Sequence, residues 1–259
     1  MNITRTAAFL GCTLAAVPAL AEEGTGFLAG ASAELTATNF YYNRDFRSGA
    51  GQGKREEWAQ GVLLDARSGY TPGVVGFGVD VLGLADFKLD GLQSEVGTGI
   101  LPYDADGARS AFGRIALTGK ARMGPAVLRA GSHITSDLTL KSNTSRVLPQ
   151  TFEGASLGAT WRNGIELGYS RFDRSWYRDG TDRVDLTVTN KDRRFSGTPA
   201  SDGFALFTAS WAPGERFKLH YEHGELRDIY RQQVAAVTFK QPLALGRLST
   251  EARYYVSDD

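Results

Sequence analysis

The chain has one cysteine, Cys12, three histidines and no excess of charge, with 29 basic and 29 acidic residues among 259. Each shortage excludes something. Balanced charge excludes a general nucleic-acid binder, which carries a basic surplus. No apolar run reaches the ~18 residues of a membrane-crossing helix. His133, His220 and His223 stand without other metal ligands. His220 and His223, three apart on a strand, point to opposite faces. Asp104-Ala105-Asp106 is a short acidic loop with nothing further in support of calcium. No nucleophile–base–acid spacing, nucleotide-binding glycine motif or phosphate loop is present. The sequence therefore points to no enzyme, no cofactor and no metal.

What is abundant is glycine, with 31 residues, and aromatics, with 14 Phe, 10 Tyr and 4 Trp. Residues 1–21 read as a secretory signal. Arg5 supplies the positive end, Ala7 to Pro18 the apolar stretch, and Ala19-Leu20-Ala21 the small-x-small cleavage site. Cys12 lies inside this signal, so a mature chain from about Glu22 has no cysteine and no disulfide. Export without a helical span leaves a soluble secreted or periplasmic protein, or an outer-membrane barrel.

Apolar and polar side chains alternate with period two almost throughout. The pattern predicts eleven strands at 34–44, 55–70, 73–88, 111–122, 125–133, 151–161, 164–176, 202–211, 215–227, 231–240 and 246–256. Short turns are predicted at Thr71-Pro72-Gly73, Met123-Gly124-Pro125, Arg162-Asn163-Gly164, Ala212-Pro213-Gly214-Glu215 and Gln241 to Gly246. The intervening links 45–54, 89–110, 134–150 and 177–201 are long, with a tight exception at Asp228-Ile229-Tyr230. Short turns on one rim and long loops on the other are the mark of a transmembrane β-barrel. Tyr70, Trp161, Trp211 and Phe217 flank the short turns, where amphipathic rings favour a membrane interface.

The two faces differ in chemistry. Val75, Phe77, Val79 and Val81 oppose Gly76, Gly78 and Asp80, and Ile115, Leu117 and Ala121 oppose Arg114, Thr118, Lys120 and Arg122. Apolar faces would meet lipid and charged faces a water-filled interior. Arg114, Lys120, Arg122, Arg129, Lys218, Lys240 and Arg253 then form a set of pore-wall cations. Cations spaced along a wall can pass a carboxylate from one to the next, provided each binds weakly enough to release it. Glu57, Asp65, Asp80, Glu222 and Glu251 face the same way, to attract an ammonium group or hold the cations in place. A charged, wetted interior with no ladder is the plainer reading of the same residues.

Several stretches resemble the OprD-like, substrate-specific outer-membrane porins. They are Tyr42-Asn43-Arg44-Asp45-Phe46, Arg55-Glu56-Glu57-Trp58-Ala59-Gln60-Gly61, the segment Gly76 to Leu84, the segment Ser145 to Gly154, and Asp228-Ile229-Tyr230-Arg231-Gln232-Gln233. The resemblance covers essentially all of the mature chain. It implies an all-β, antiparallel barrel of the 18-stranded porin type, in the outer membrane. It implies passive, selective diffusion of small carboxylates, amino acids or aromatic acids. Lipid and lipopolysaccharide would surround the barrel, no nucleic acid would be a partner, and the complete protein would form a homotrimer. It also implies that the third external loop, about 134–150, folds inward as a constriction, with Ser142, Ser145 and Arg146 at the opening. Where the family pattern leads one to expect an arginine, Thr38 stands.

Family members are longer. Single-chain bacterial barrels have an even strand number, and an open edge in lipid leaves backbone groups unpaired. Residues 22–259 are therefore expected to be an N-terminal part, an open half-barrel of about eleven strands, inactive if truly truncated. The alternative is a secreted all-β binding or structural protein, which would place polar residues outside and a dry core within.

Overall fold

The computed structural model describes residues 26–46, 51, 53–91, 96–188 and 197–258. The predicted signal segment lies outside the described residues. In chain order the strands are β1 (Ser32–Asp45), β2 (Lys54–Arg67), β3 (Gly76–Asp90), β4 (Tyr103–Asp104), β5 (Gly107–Ala108), β6 (Ala111–Met123), β7 (Ala126–His133), β8 (Thr151–Thr160), β9 (Ile165–Trp176), β10 (Arg183–Val184), β11 (Leu186–Thr187), β12 (Ala200–Ser201), β13 (Phe204–Trp211), β14 (Phe217–Leu226), β15 (Tyr230–Leu243) and β16 (Gly246–Asp258). The long strands form one antiparallel sheet in the order β1-β2-β3-β6-β7-β8-β9-β13-β14-β15-β16, with β10 added to β9. β4–β5 and β11–β12 are small loop hairpins. All eleven predicted strands are present. Among the described residues β1 and β16 do not pair, so hydrogen bonds do not close the sheet.

Local chemistry explains the turns. Gly164 has φ 80°, and a Cβ there would fall 1.9 Å from the Ala212 carbonyl oxygen, so only glycine fits. Two boundaries differ from expectation. Strand β2 stops at Arg67 and β3 starts at Gly76, a wider link than Thr71-Pro72-Gly73. The link stays bonded to β3, with the Ser68 and Thr71 amides donating to the Val79 and Phe77 carbonyls at 3.0 and 2.8 Å, while on its other edge Gly69 N–H donates to the Phe27 carbonyl at 2.8 Å. Strand β15 runs on through Pro242 to Leu243. A proline near a strand's end forfeits one ladder donor and no more.

The alternation survives as two distinct faces. On β3 and β6, Phe77, Ile115 and Leu117 are 58, 74 and 58 % exposed, whereas Leu84, Thr118 and Lys120 on the opposite face are under 10 %. Apolar-out is the inverse of what a soluble binding protein needs.

The sheet curves around its own loops. Val147 touches β2 at Gly61, and Thr139 touches β14 at Gly224. Seven strand spacings separate β2 from β14, about 34 Å if flat. Eight residues of chain reach at most about 28 Å when fully extended. The sheet must therefore bend to bring both walls to one loop.

Burial follows that geometry. One cluster sets Val147 and Leu148 of the 134–150 loop and Ile100 and Leu101 of the 91–110 loop against Ala59 and Leu84 of the wall. A second joins Phe152, Phe172, Phe204, Leu206 and Leu226 of the wall to Leu186. The apolar contacts thus hold loops to the concave face rather than layer to layer.

Candidate functional site

The site lies where residues 96–110, 134–150 and 177–188 meet over the concave face. Its framework is a short run of backbone, Gly97-Thr98-Gly99, whose three carbonyls each accept from a different arginine. Arg55 Nη1 donates to Gly97 at 3.1 Å, Arg146 Nε to Thr98 at 3.0 Å and Arg178 Nε to Gly99 at 2.8 Å. Gly97 and Gly99 have φ 79° and 72°. A Cβ on Gly99 would sit 2.7 Å from Arg178 Nη2, so the glycines admit both the backbone turn and the guanidinium groups. Glu57 of β2 supports the run from below by accepting the Thr98 hydroxyl.

Arg146 and Arg178 converge on Ser145. Arg146 Nη1 donates to the Ser145 carbonyl at 2.9 Å, and Arg178 Nη1 to the Ser145 hydroxyl at 3.3 Å. That hydroxyl donates to Asn143 Oδ1 at 2.7 Å. The Arg146 guanidinium also lies over the rings of Tyr42 and Phe40, at 5.0 and 5.8 Å, which fixes its plane. Burial lowers the Arg178 pKa from its ordinary value, Asp179 opposes this, and Arg146 adds to it. Two like charges are therefore held close together.

Arg178 also lines a cavity of about 620 Å³ between the 134–150 loop and the segment after β9. Its lining mixes apolar Phe152, Leu186, Phe204 and Leu226 with polar Lys141, Asn143, Gln150 and Tyr177 and the acid Asp179. Apolar side chains and two cations, Lys141 and Arg178, in one lining suit an amphipathic anion, with Asp179 as the one acid among the described lining residues. Carboxylates take charge-assisted bonds from guanidinium forks, and apolar lining takes the body of such a ligand.

The expected constriction residues do not share one role. Ser145 is exposed and Arg146 half-buried at this site. Ser142 is 2 % exposed, and its hydroxyl accepts the Thr135 amide at 2.9 Å, closing the loop on itself. Ser142 thus shapes the loop and is closed off from solvent.

The wall cations divide in the same way. Arg114 donates to Thr151 Oγ1 at 3.1 Å with the Trp176 ring 4.5 Å away. Lys120 is 8 % exposed, paired to Asp80 and donating to the Ser68 carbonyl at 2.7 Å. Neither is a free rung. Arg122 lies over Tyr70 at 4.4 Å and remains exposed, as do Arg129 and Lys240. Lys218 stands 3.9 Å from Glu166, and Arg253 pairs with Glu251. Among the acids, Asp65 pairs with Arg67, while Glu57 and Glu222 are 1 % exposed and committed to loops. Register sets Lys120 opposite Arg129 and Arg122 opposite Val127, so the exposed Arg122 and Arg129 lie two residues out of register on the neighbouring strands β6 and β7.

Sequence reasoning missed Arg55 and Arg178, which lie apart from their partners in the chain. It missed Gly61 and Gly224 although a signal was present: an isolated glycine inside a strand marks close backbone approach. It also saw no nucleophile–base–acid array, yet the structure lines up Ser210, His220 and Glu222. Ser210 Oγ lies 2.7 Å from His220 Nδ1, and His220 Nε2 lies 2.8 Å from Glu222 Oε1.

Comparison with known proteins gives a consistent result. Residues 25–259 match the family model described as outer membrane porin, OprD family. The chain is 38% identical over 244 residues to the porin-like protein GalP of Pseudomonas putida, covering 93% of this chain and 57% of that one. It is 32% identical over 226 residues to Porin D of Pseudomonas aeruginosa, covering 86% and 49%. Among solved structures, a BenF-like porin from Pseudomonas fluorescens superposes with a TM-score of 0.81 at 37% identity, over 90% of this chain and 59% of that one. Pseudomonas aeruginosa OpdK with vanillate gives 0.80 at 35% identity, with the same coverage. The chain spans about half the length of the two sequence relatives.

Proposed function

Because the chain belongs to the OprD family of outer-membrane porins, a family of non-catalytic channels, we propose that it lines part of a passage for passive diffusion of small organic solutes, chiefly carboxylates. The observation that carries this reading is the Arg146–Ser145–Arg178 junction beside the 620 Å³ cavity. Two guanidinium groups, held by backbone carbonyls and an aromatic stack, need no reorganisation to meet an anion. The apolar lining of the cavity accepts a ring or short alkyl body. Vanillate, the ligand in the OpdK structure, is an aromatic carboxylate of that build.

On this reading the exposed Arg122 and Arg129 on neighbouring strands, and Lys240 across the sheet on β15, add further cations along the wall. Each stands in water, so each attracts an anion without retaining it. On the same reading lipid would surround the convex face, lipopolysaccharide would lie near the long-loop rim, and the complete protein would be a homotrimer.

The test is liposome swelling with benzoate, arginine and a neutral sugar, comparing the parent protein with Arg146→Ala and Arg178→Ala. Benzoate entry is expected to fall several-fold in both variants, with sugar entry unchanged. An equal fall for all three solutes would remove the carboxylate-handling role.

A further inference from the structure

Glu222 was expected to be a wall charge that attracts an ammonium group, and it has no capacity left for one. It is 1 % exposed, on the concave face of β14. Oε1 accepts the Leu138 amide at 2.9 Å and lies 2.8 Å from His220 Nε2. Oε2 accepts the Thr139 amide at 2.8 Å and the Thr139 hydroxyl at 2.9 Å. One carboxylate therefore grips two successive residues of a loop more than eighty positions away in the chain.

Its neighbours are arranged for that grip. Gly224, the next residue on the same face, lets Thr139 come close: a Cβ there would lie 2.9 Å from Thr139 Cβ and 2.8 Å from Phe204 Cζ. His220 is held from behind by Ser210 at 2.7 Å. Either imidazole state suits this line. The neutral ring donates from Nε2 to Glu222 and accepts the Ser210 hydroxyl, and the cation donates at both nitrogens. The gripped part of the loop is itself closed, because Thr135 and Ser142 exchange backbone and hydroxyl bonds across it. The far end of the loop is fastened differently, by Val147 and Leu148 in an apolar cluster on the other wall.

We propose that Glu222, backed by His220 and Ser210, is the positioning residue that fastens the 135–142 half of the inward loop across the passage and so sets its free cross-section. The half at Val147 stays seated without it. The effect on cross-section rests on the porin reading, while the fastening itself does not.

Hydrogen exchange read by mass spectrometry on the full chain in native outer-membrane vesicles tests the fastening, with Glu222→Gln as the main variant. The amide side chain cannot accept at both positions, so at least one loop amide loses its acceptor. Exchange in a peptide spanning 135–142 is expected to rise about tenfold or more, with 146–150 and strands β13 to β15 unchanged. Gly224→Ala, which keeps the carboxylate but pushes Thr139 off the wall, is expected to act in the same direction. In liposomes, both variants are expected to admit larger neutral sugars than the parent. Unchanged exchange in 135–142 in both variants, or loss of protection in the strands as well, overturns the proposal. Faster exchange with unchanged sugar size limits leaves the fastening intact and overturns its role in setting the opening.

Discussion

Lys120 shows how one residue type on one wall can serve two ends. Its ammonium group is shared among Asp80, the Ser68 carbonyl and the Tyr70 ring, and it is nearly enclosed. Breaking a buried pair by removing one partner costs about 3–5 kcal/mol, because the other charge remains. Lys120→Met is therefore expected to lower the urea midpoint while leaving benzoate entry per folded protein unchanged. Arg129, exposed one register step away, should show the reverse. Asp137 carries a second residue-scale prediction. Burial, and then the charge of Glu222, raise its carboxyl above the usual 3.8. A raised carboxyl binds its proton more tightly when folded, so its contribution to stability is full below 3.8 and is lost as pH rises through the folded value. Asp137→Asn should slow exchange of the 135–142 segment at neutral pH and have little effect near pH 3.8, measured across a pH series.

At the scale of elements, strands were legible and loops were not. Period-two alternation located all eleven long strands, because a wall between lipid and water imposes that period directly. The β2–β3 boundary slipped where the ladder thins to single bonds, Ser68 to Val79 and Thr71 to Phe77, and the segment before β1 takes the Gly69 amide. The loops follow no period. Where they lie depends on contacts such as Val147 on Gly61, 86 positions apart by numbering, where a Cβ would fall 2.0 Å from Val147 Cγ1. Gly61→Ala is expected to destabilise by about 1–3 kcal/mol through overpacking. Adding Val147→Ala should recover part of that loss, because residues in contact are not additive. A double-mutant cycle by urea unfolding measures the recovery, and strict additivity would mean that the two do not meet.

At the scale of the whole molecule, the two faces of the sheet differ in what they present to their surroundings. Its convex surface is an apolar belt, with Phe77, Leu117 and Phe239 among its exposed residues. Charge on the lipid face costs up to about 2–4 kcal/mol at mid-depth for Arg or Lys and less for Asp. Val79→Asp and Leu117→Asp should therefore reduce insertion, followed by the heat-dependent gel mobility of folded barrels. Thr118→Asp, one residue from Leu117 on the concave face, should insert more readily than Leu117→Asp. Equal insertion for these neighbours would reverse the inside and outside of the wall.

The sequence by itself determined what is repetitive and local: the alternation, the small or turn-forming residues at the short rim, and the family-like stretches from Tyr42 to Gln233. Those features are set by neighbours one to four residues apart, and so can be read along the chain. It also grouped Ser142, Ser145 and Arg146 as one set, which the fold divides into a buried Ser142 and an accessible Ser145 and Arg146. Tertiary structure decided which polar groups remain free. Lys120, Glu57 and Glu222 are spent on partners brought together by curvature of the sheet, whereas Arg122 and Arg129 stay open to water. A side chain's charge is written in the sequence, but its availability depends on what the fold places within about 3 Å of it.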